Sequence, residues 1–504
     1  MVLLGANGAG KTAVLSAVAK ALGRDRTVGR RDFTDPSVPI EIRCVLADLG
    51  AELAAGFNRH LTFNGPTLTI GLNAVIDDDE IDVQHGFPNP TWTRASRTQL
   101  RSLPVVWLPA QRDPVALLRV TGAGSLLAQL IADLDLNQEI EQAGLAVAQA
   151  AQALAGAQTL RDLLDTAGEK LAAVTPAGRR DSFDLGTGPP AGLMEQLELL
   201  LASGGTTPGM REQPSGMAQL AVFAMVLVEL SNRQGALLLV DEPELALHPH
   251  AQRALVAALR VAATQTLIAT HSAHVLSRCD LREALRFERT AAGIAVHRTG
   301  VVTDQEERRL ARYATATLVE AFFARVAILV EGPSDRLALQ FAAEQLGVDL
   351  DARSVSLVEL QGADVFETLR SLLGPSGLQV ELRGMCDADR ERRWTDVIYG
   401  PGVYNGDRNQ LAQDGIFVAD PDLEGALVDS LGETQVEGVI TAEGEKPALD
   451  LYRQQPDKRN LPSRDQILGF LKSKDRKVRF APLLVQAVPT GQLPDVLKGV
   501  LADL

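Results

Sequence analysis

The sequence predicts an α/β protein of two domains, each built on a sheet with parallel strands. After residue 193, apolar strands alternate with helical segments, which is the pattern of parallel strands joined by crossover helices. A second alternating set begins near Val326 and continues towards Asp389. The length of 504 residues agrees with this prediction, because one domain commonly takes roughly 100–200 residues.

The composition is that of a globular protein, because hydrophobic residues make up 46% of the chain and charged residues 22%. No apolar stretch reaches the ~18 residues that cross a bilayer, so we expect no membrane contact. The net charge of −15 argues against a nucleic-acid coat protein but leaves room for an enzyme with a local basic groove. Cys44, Cys279 and Cys386 lie far apart, which favours a reducing, cytoplasmic compartment.

The first domain is expected to contain a helical insertion. Before it, the apolar runs IEIRCVLADL, PTLTIGLNAVI and VVWLP predict strands. Residues 124–173 are rich in Ala, Leu and Gln, and their apolar residues recur at helical spacing. Such a segment packs on its own domain or, alternatively, forms a dimer contact. The predicted domains are therefore residues 1–123 with 174–315, and residues 325–504, the second ending in a C-terminal helical extension.

The first motif is a glycine-rich loop, GANGAGKT, which runs from Gly5 between a short strand and a helix. It fits the pattern G-x-x-x-x-G-K-[ST] in full and in the required context. Glycines let backbone N–H groups turn towards phosphates, the lysine neutralises phosphate charge, and the threonine hydroxyl ligates Mg²⁺. The loop predicts an ATP site contacted by Asn7, Gly8, Gly10, Lys11 and Thr12.

Two further strand ends complete this predicted site. The apolar run LLLV ends in Asp241 and Glu242, and the run TLIA ends in Thr270 and His271. A strand-end aspartate can hold Mg²⁺, and the following glutamate can polarise the attacking water. We interpret His271 as a sensor of the γ-phosphate, because it lies at a third strand tip.

DEPELALHP followed by ATHS resembles the ATP-binding-cassette (ABC) ATPases of chromosome maintenance and DNA repair. In that family a partner's signature Ser-Gly completes the site, and Ser215-Gly216 in PSGMAQLAVFAMVL corresponds to it, with departures at Pro214 and Met217. The resemblance implies two heads around two ATP molecules, hence a homodimer or larger assembly. It also makes Gln111 a candidate Mg²⁺-sensing glutamine. The family usually carries a strand unit and an adenine contact before the loop, so we expect either a dispensable unit or a start inside the gene product.

The second predicted domain places acids at two strand ends. The run RVAILV is followed by Glu331 and a helix with Asp335, and QVELRGMC is followed by Asp387 and Asp389. Neighbouring parallel strands bring such side chains to one sheet edge, where hard oxygen ligands suit Mg²⁺ or Mn²⁺ rather than zinc. D-x-D alone is weak evidence, and a strand-end acid is often a helix N-cap.

The order Glu-Gly-x-x-Asp then D-x-D resembles the Toprim domain, and an ABC-type ATPase before Toprim resembles the overcoming-lysogenization-defect (OLD) nuclease family, which includes the Gabija nuclease subunit. The resemblance implies phosphodiester hydrolysis at two cations ~4 Å apart (Mg²⁺, or Mn²⁺ or Ca²⁺). It implies the ligands Glu331, Asp335, Asp387, Asp389 and Glu424, the last in ADPDLEGALVDSL. It also implies a lysine near the scissile phosphate, for which KSKDRKVRF offers Lys472, Lys474 or Lys477; we favour Lys477.

We therefore predict an ATP-hydrolysing, metal-dependent DNA endonuclease of anti-phage defence or DNA processing, with a helicase or other defence protein as a possible partner. The catalytic candidates are Glu242, His271, Glu331, Asp387 and Lys477. The tyrosines do not lie in a strand-passage domain, and the cysteines exclude a primase Cys₄ site. Two alternatives stay open, an RNase that acts on substrates such as tRNA and an ATP-switched scaffold whose inactive Toprim domain recruits an effector.

Overall fold

The protein forms two compact units. The structure is a computed structural model. It describes residues 1–62, 67–78, 80–88, 92–122, 124–132, 134, 157–175, 182–187, 197–202, 207–291, 293–299, 316–360 and 363–504. The first unit comprises residues 1–280 and 287–295, and the second comprises residues 281–286 and 296–504. The finer domain limits given above stay predictions.

The elements up to residue 298 include three consecutive strands, at residues 68–77, 80–87 and 93–94, while strands and helices alternate, as the sequence predicts, from residue 197 to residue 276. The strands are β1 Val2–Leu4, β2 Ile40–Leu46, β3 Leu68–Asp77, β4 Glu80–Phe87, β5 Thr93–Arg94, β6 Val105–Leu108, β7 Ser182–Thr187, β8 Leu197–Ala202, β9 Leu237–Asp241, β10 Gln265–Ala269, β11 Ala284–Thr290 and β12 Gly293–Arg298. The helices are α1 Lys11–Ala21, α2 Ala51–Gly56, α3 Arg97–Ser102, α4 Pro114–Leu117, α5 Leu126–Ala132, α6 Gln158–Val174, α7 Ser215–Asn232, α8 Pro249–Ala262 and α9 Ala273–Leu276.

The main sheet of the first unit brings three strand ends together. Its order is β12-β11-β1-β10-β9-β6, and the pairs β1–β10, β10–β9 and β9–β6 are parallel. The register pairs Leu3 with Ala269 and Ala269 with Asp241. The glycine-rich loop, Asp241 and Thr270 therefore leave the sheet at the same edge. A separate antiparallel sheet, β2-β3-β4-β5, and a β7–β8 pair complete the strands described in this unit.

Helix α7 corrects one expectation from the sequence. It is 18 residues long and, by length and composition alone, apolar enough to span a membrane. The prediction that no apolar stretch reaches this length is therefore wrong. Its residues from Ala218 to Leu230 are all buried in the protein. This pattern is that of a core helix, which is hydrophobic on every side.

The predicted insertion at residues 124–173 is described only in part. Helices α5 and α6 confirm helical structure at its two ends, while residues 135–156 lie outside the described residues. The buried residues of α6 recur at intervals of three or four: Leu160, Leu163, Leu164, Ala167, Leu171 and Val174. Helix α6 packs against α7, so this face is covered by its own unit.

The second unit carries a sheet of parallel strands, ordered β14-β13-β15-β16. Its elements are α10 Ala316–Glu320, β13 Val326–Val330, α11 Pro333–Leu346, β14 Val355–Glu359, α12 Ala363–Leu373, β15 Glu381–Asp387, α13 Glu391–Tyr399, α14 Arg408–Gln413, β16 Ile416–Ala419, α15 Leu423–Leu431, α16 Glu433–Ala442, α17 Lys446–Arg453, α18 Ser463–Leu471, α19 Lys474–Ala487 and α20 Asp495–Leu501. Every residue of β13 is buried, as expected for a central parallel strand.

The residues after 420, for which the sequence predicts a helical extension but not its individual elements, form helices α15 to α20. Leu427, Val436, Phe470, Phe480 and Leu497 from these helices join the same buried core as β13 and α11. Helix α19 packs against both α11 and α15. Core packing therefore fixes the C-terminal helices to the sheet, and this arrangement sets the position of the lysines of α19.

A glycine on β15 gives a test of this packing. A Cβ at Gly384 would lie 2.5 Å from Trp394 and 3.0 Å from Ile416. We expect Gly384→Ala to lower the free energy of unfolding by about 1–3 kcal/mol, because an overfilled core must shift. Urea unfolding followed by circular dichroism measures this change.

Gly438→Ala is the matched control, since Gly438 lies inside α16 and a Cβ added there would meet only open space. It should raise the free energy of unfolding by about 0.5–1 kcal/mol through helix propensity. Equal effects of the two substitutions would contradict the packing described for β15.

Candidate functional site

The first candidate site is the glycine-rich loop between β1 and α1. The Lys11 side chain is buried, and its Nζ donates hydrogen bonds to the carbonyl oxygens of Gly5 at 2.8 Å and Ala6 at 3.1 Å. Gly5 and Gly10 have φ angles of 138° and 100°. A Cβ at Gly5 would lie 2.3 Å from the carbonyl oxygen of Phe287, so only glycine fits there. Asn7, Gly8 and Thr12 are exposed beside the loop.

Asp241 lies at the end of β9 with 1% of its surface exposed. Within the described residues, both of its carboxylate oxygens are buried without a hydrogen-bond partner. Burial raises the pKa of Asp241 and the Glu242 charge adds to this, while the Thr12 hydroxyl and the Lys11 charge oppose it. A buried carboxylate that lacks donors, beside a threonine hydroxyl, fits a divalent cation. Asp241 and Thr12 are thus suited to hold Mg²⁺.

Glu242 and His271 are brought to the same edge. Glu242 has a φ of 47°, a left-handed conformation that is uncommon for a residue with a side chain. The His271 imidazole is exposed, but neighbouring protein atoms and the Lys11 charge lower its pKa. The charges of Lys11 and Glu242 therefore both act on His271, and the charge of Glu242 also acts on Lys11.

Glu244 is a site residue that the sequence reasoning missed. Its Oε1 accepts hydrogen bonds from the Thr270 hydroxyl at 2.8 Å and from the His271 N–H at 2.7 Å. Burial raises the pKa of Glu244. Through these two hydrogen bonds, Glu244 connects the segment after β9 to the segment after β10. The second glutamate of DEPE was the available signal for it.

Arg112 was also missed, although its neighbour Gln111 was singled out. The Gln111 side chain is exposed. The Arg112 guanidinium donates to the carbonyl oxygens of Asp241 at 3.0 Å and Glu242 at 3.1 Å. An arginine in a loop after a strand is too common for the sequence alone to mark it.

The predicted signature pair lies at the start of α7. Ser215 is exposed at the first residue of the helix, and Gly216 is half-buried. A Cβ at Gly216 would lie 2.7 Å from the carbonyl oxygen of Ala246, which leaves space only for glycine. A helix N-terminus of this kind presents free N–H groups to anions. The role of Ser215 and Gly216 in a partner's site stays a prediction.

The second candidate site lies at the carboxyl edge of β13 and β15. Glu331, Asp387 and Asp389 each offer one carboxylate oxygen within 4.8 Å of the others. Glu331 Oε1 accepts a hydrogen bond from the Asp387 N–H at 3.0 Å, and Asp387 Oδ1 accepts one from the Leu423 N–H at 3.2 Å. We call these three acids the acidic triad. Its oxygen ligands are those that Mg²⁺ and Mn²⁺ prefer.

Asp335 and Glu424 lie outside the triad but act on it electrically. Asp335 Oδ2 accepts a hydrogen bond from the Gly332 N–H at 3.0 Å, which caps α11. Burial raises the pKa of Asp335 to about 7, and the charges of Asp387 and Glu424 add to this rise. Burial also raises the pKa of Asp387 to about 7, with further contributions from Glu331 and Glu424. Burial raises the pKa of Glu331 as well.

Lys477 contacts this acidic region. Its Nζ lies 3.0 Å from Oε2 of Glu424, whose side chain is 4% exposed. Burial acts to lower the pKa of Lys477, but the hydrogen bond to Glu424 and the charge of Asp387 raise it overall. Lys472 instead pairs with Asp422, with 2.6 Å between Nζ and Oδ2. The Lys474 side chain lies outside the described residues.

Comparison with protein families identifies two domains. Residues 92–277 match the family described as "AAA domain, putative AbiEii toxin, Type IV TA system". Residues 322–389 match "Overcoming lysogenization defect protein-like, TOPRIM domain". The chain thus carries an ATPase domain followed by an OLD-like Toprim domain. The predicted α/β fold class, with an ATPase domain followed by a Toprim domain, is confirmed.

Known relatives share part of the chain. The uncharacterized protein YbjD of Escherichia coli (strain K12) is 26% identical over 161 residues, which cover 30% of this chain and 29% of YbjD. The Old nuclease of Escherichia phage P2 is 24% identical over 170 residues, which cover 31% of this chain and 28% of that nuclease. The chain therefore spans less than a third of the length of either relative. A solved C-terminal region of the Xanthomonas campestris pv. campestris OLD protein is 28% identical, with a TM-score of 0.30 over 36% of this chain and 92% of that region.

The raised pKa values make the stability of the metal-free protein depend on pH. Folded Asp335 and Asp387 titrate near pH 7, whereas an unfolded aspartate titrates near about pH 3.9. The folded state therefore binds more protons between these values, and the free energy of unfolding falls as pH rises. The slope is at most about 1.4 kcal/mol per pH unit for each group, less where water screens the charge.

Asp387→Asn removes one of these titratable carboxyl groups. In a chelator, the melting temperature of the variant should therefore rise relative to that of the wild type as the pH increases from 5.5 to 8. The matched control is Asp351→Asn, because Asp351 is exposed in the loop before β14. The difference in melting temperature between Asp351→Asn and the wild type should be the same at both pH values. A constant difference for Asp387→Asn would contradict the burial and repulsion described for the triad.

Proposed function

We propose that this ATPase–Toprim protein of the OLD family is an ATP-hydrolysing, divalent-metal-dependent DNA endonuclease. The observation that carries the proposal is the acidic triad of Glu331, Asp387 and Asp389, with one oxygen from each within 4.8 Å. Three carboxylates held this close repel one another. Arg390 offsets part of this repulsion, because its Nε lies 3.9 Å from Asp389 Oδ2 and 4.0 Å from Glu331 Oε2, and bound cations would offset more. The chemistry that fits this donor set is phosphodiester hydrolysis.

In this proposal the triad holds Mg²⁺ or Mn²⁺, with Asp335 and Glu424 as further ligands or supports. The cations supply charge that stabilises the attacking and leaving oxygens. Backbone N–H groups of Asp387 and Leu423 fix the orientation of Glu331 and Asp387. Lys477, held by Glu424, offers a positive charge next to the triad for the scissile phosphate.

The ATPase site is proposed to control access of DNA to the Toprim site. Lys11, Thr12 and Asp241 bind the nucleotide and its Mg²⁺, and Glu242 accepts the proton of the water that attacks the γ-phosphate. His271 senses that phosphate. The charges of Lys11 and Glu242 on His271 support these roles. Two chains would pair so that Ser215 and Gly216 of one meet the ATP of the other.

The biological setting belongs to the proposal as well. The matching family is named for a lysogenization defect, and the phage P2 relative is named a nuclease. Anti-phage defence or DNA processing in the cytoplasm suits a chain of this kind, with a helicase or another defence protein as a partner.

Nicking of supercoiled plasmid by the purified chain tests the function directly. We expect cleavage with Mg²⁺ or Mn²⁺ and none in a chelator. Asp387→Asn should lower the cleavage rate by about 100-fold or more, because a ligand of the cations is lost. Asp351→Asn should leave the rate unchanged. Reactions with and without ATP measure whether the nucleotide activates or restrains cleavage.

Two outcomes would redirect the proposal. Cleavage of tRNA but not of plasmid would replace DNA by RNA as the substrate. Failure to cut either nucleic acid, with ATP hydrolysis intact, would support a scaffold that awaits an effector.

Lys472 and Lys477 of the basic run give a second prediction. Lys477→Met should lower cleavage by about 100-fold or more, since a charge beside the reacting phosphate is lost. Lys472→Met should lower it by less than about 10-fold, because its partner Asp422 lies outside the triad. Single-turnover cleavage rates at saturating metal measure both.

The melting temperatures of both variants serve as the control, because Lys477→Met leaves Glu424 buried without its cation. If the two variants cleave equally well while folded, Lys477 has no special role.

A further inference from the structure

Arg112 connects three elements of the first unit at one point. Its Nε donates to Oε1 of Gln219 at 2.7 Å, and its Nη1 donates to the carbonyl oxygen of Pro109 at 2.9 Å. Nη1 also donates to the Asp241 carbonyl and Nη2 to the Glu242 carbonyl. The guanidinium therefore spans the loop after β6, the end of β9 and helix α7.

The guanidinium suits this position for geometric reasons. It is planar and directs its N–H donors in a fixed fork, so it can reach several acceptors at once. Burial lowers the pKa of Arg112 to about 10, and it stays charged at neutral pH. The ring of Phe223 lies 5.1 Å from the guanidinium carbon, which adds a cation–π contact. A lysine can replace the charge but not the fork.

Two of the three carbonyls that Arg112 binds belong to Asp241 and Glu242, on which the proposed ATPase site depends. Glu242 has a φ of 47°, a conformation that persists only when surrounding contacts enforce it. Its N–H donates to the Ala269 carbonyl at 2.9 Å, and its own carbonyl accepts from Arg112 at 3.1 Å. Arg112 thus holds one side of the turn that aims the Glu242 carboxylate.

The other contact of Arg112 lies on the helix that begins at Ser215. Gln219 and Phe223 follow Ser215 at intervals of four residues, so all three lie on one face of α7. The Gln219 side chain is 7% exposed, which keeps its bond to Arg112 away from water. A shift of the start of α7 would therefore displace Arg112 through this bond, and with it the backbone of Asp241 and Glu242.

We propose that Arg112 is a positioning residue for ATP hydrolysis, which couples the Glu242 turn to helix α7 through Gln219. The inference rests on the proposed ATPase function. It assigns Arg112 no contact with the nucleotide. Loss of the fork should therefore slow hydrolysis while ATP binding is kept.

The experiment measures ATP affinity, kcat, KM and melting temperature for the full chain and its variants. Arg112→Lys should lower kcat by about 30-fold and change the Kd and KM for ATP by less than about 3-fold. Gln219→Leu, which removes the acceptor, should lower kcat by about 10-fold. Gln219→Glu keeps an acceptor and should stay within about 3-fold of the wild type.

Two further variants complete the design. The double variant Arg112→Lys/Gln219→Leu should be no slower than Arg112→Lys alone, because both changes break the same link. Arg233→Lys is the matched control, since Arg233 pairs with Glu229 at the far end of α7 and should keep full kcat.

The outcomes separate this inference from the function on which it rests. A wild-type chain that hydrolyses no ATP would overturn the ATPase proposal and this inference together. If the wild type is active, an Arg112→Lys variant within about 3-fold of its kcat would overturn the inference alone. Parallel losses of melting temperature, ATP affinity and kcat, or additive effects in the double variant, would also overturn it by showing a purely structural role.

Discussion

Carboxylates that are held together away from water impose the main constraint on this protein. At the carboxyl edge of β13 and β15, burial raises the pKa values of Asp335 and Asp387, and the charges of Glu331 and Glu424 add to both. Three backbone N–H groups offset part of the cost of ionising Glu331, Asp335 and Asp387. They do not offset all of it, because the pKa values of the three acids stay raised. The core must therefore be stable enough to hold an arrangement that cations would relieve.

The first unit meets the same constraint by different means. Asp241 is more deeply buried than the acids of the triad, and its carboxylate oxygens have no hydrogen-bond donor among the described residues. The Thr12 hydroxyl and the nearby charges of Lys11 and Arg112 offset part of the cost of ionising Asp241. Arg112 acts on the carboxylate by its charge, while its hydrogen bond to this residue goes to the backbone carbonyl. The carboxylate oxygens of Asp241 stay available for a cation as a result.

The sequence predicted the two sheet edges well because their signals are local. An apolar run followed by an acid marks a strand tip, and parallel pairing then brings Glu331 and Asp387 together. The difference between Lys472 and Lys477 is not local. It depends on how α19 packs against α15, which many core contacts decide together. Arg112 was missed for the same reason, since three of its four acceptors lie 107 to 130 residues away along the chain.

The basic run of residues 472–480 carries positive charge in the sequence that nearby carboxylates largely neutralise in the folded protein. Four of its cations pair with four carboxylates elsewhere in the unit: Lys472 with Asp422, Lys477 with Glu424, Arg476 with Glu445, and Arg479 with Glu443 and Glu445. The run is therefore close to neutral where it lies, and it is not simply a solvated helix face. With a net charge of −15 on the whole chain, the described part of this run adds little attraction for a polyanion. Cations bound at the acidic triad would then supply much of the local positive potential. The approach of a nucleic acid to this site would therefore depend on metal binding.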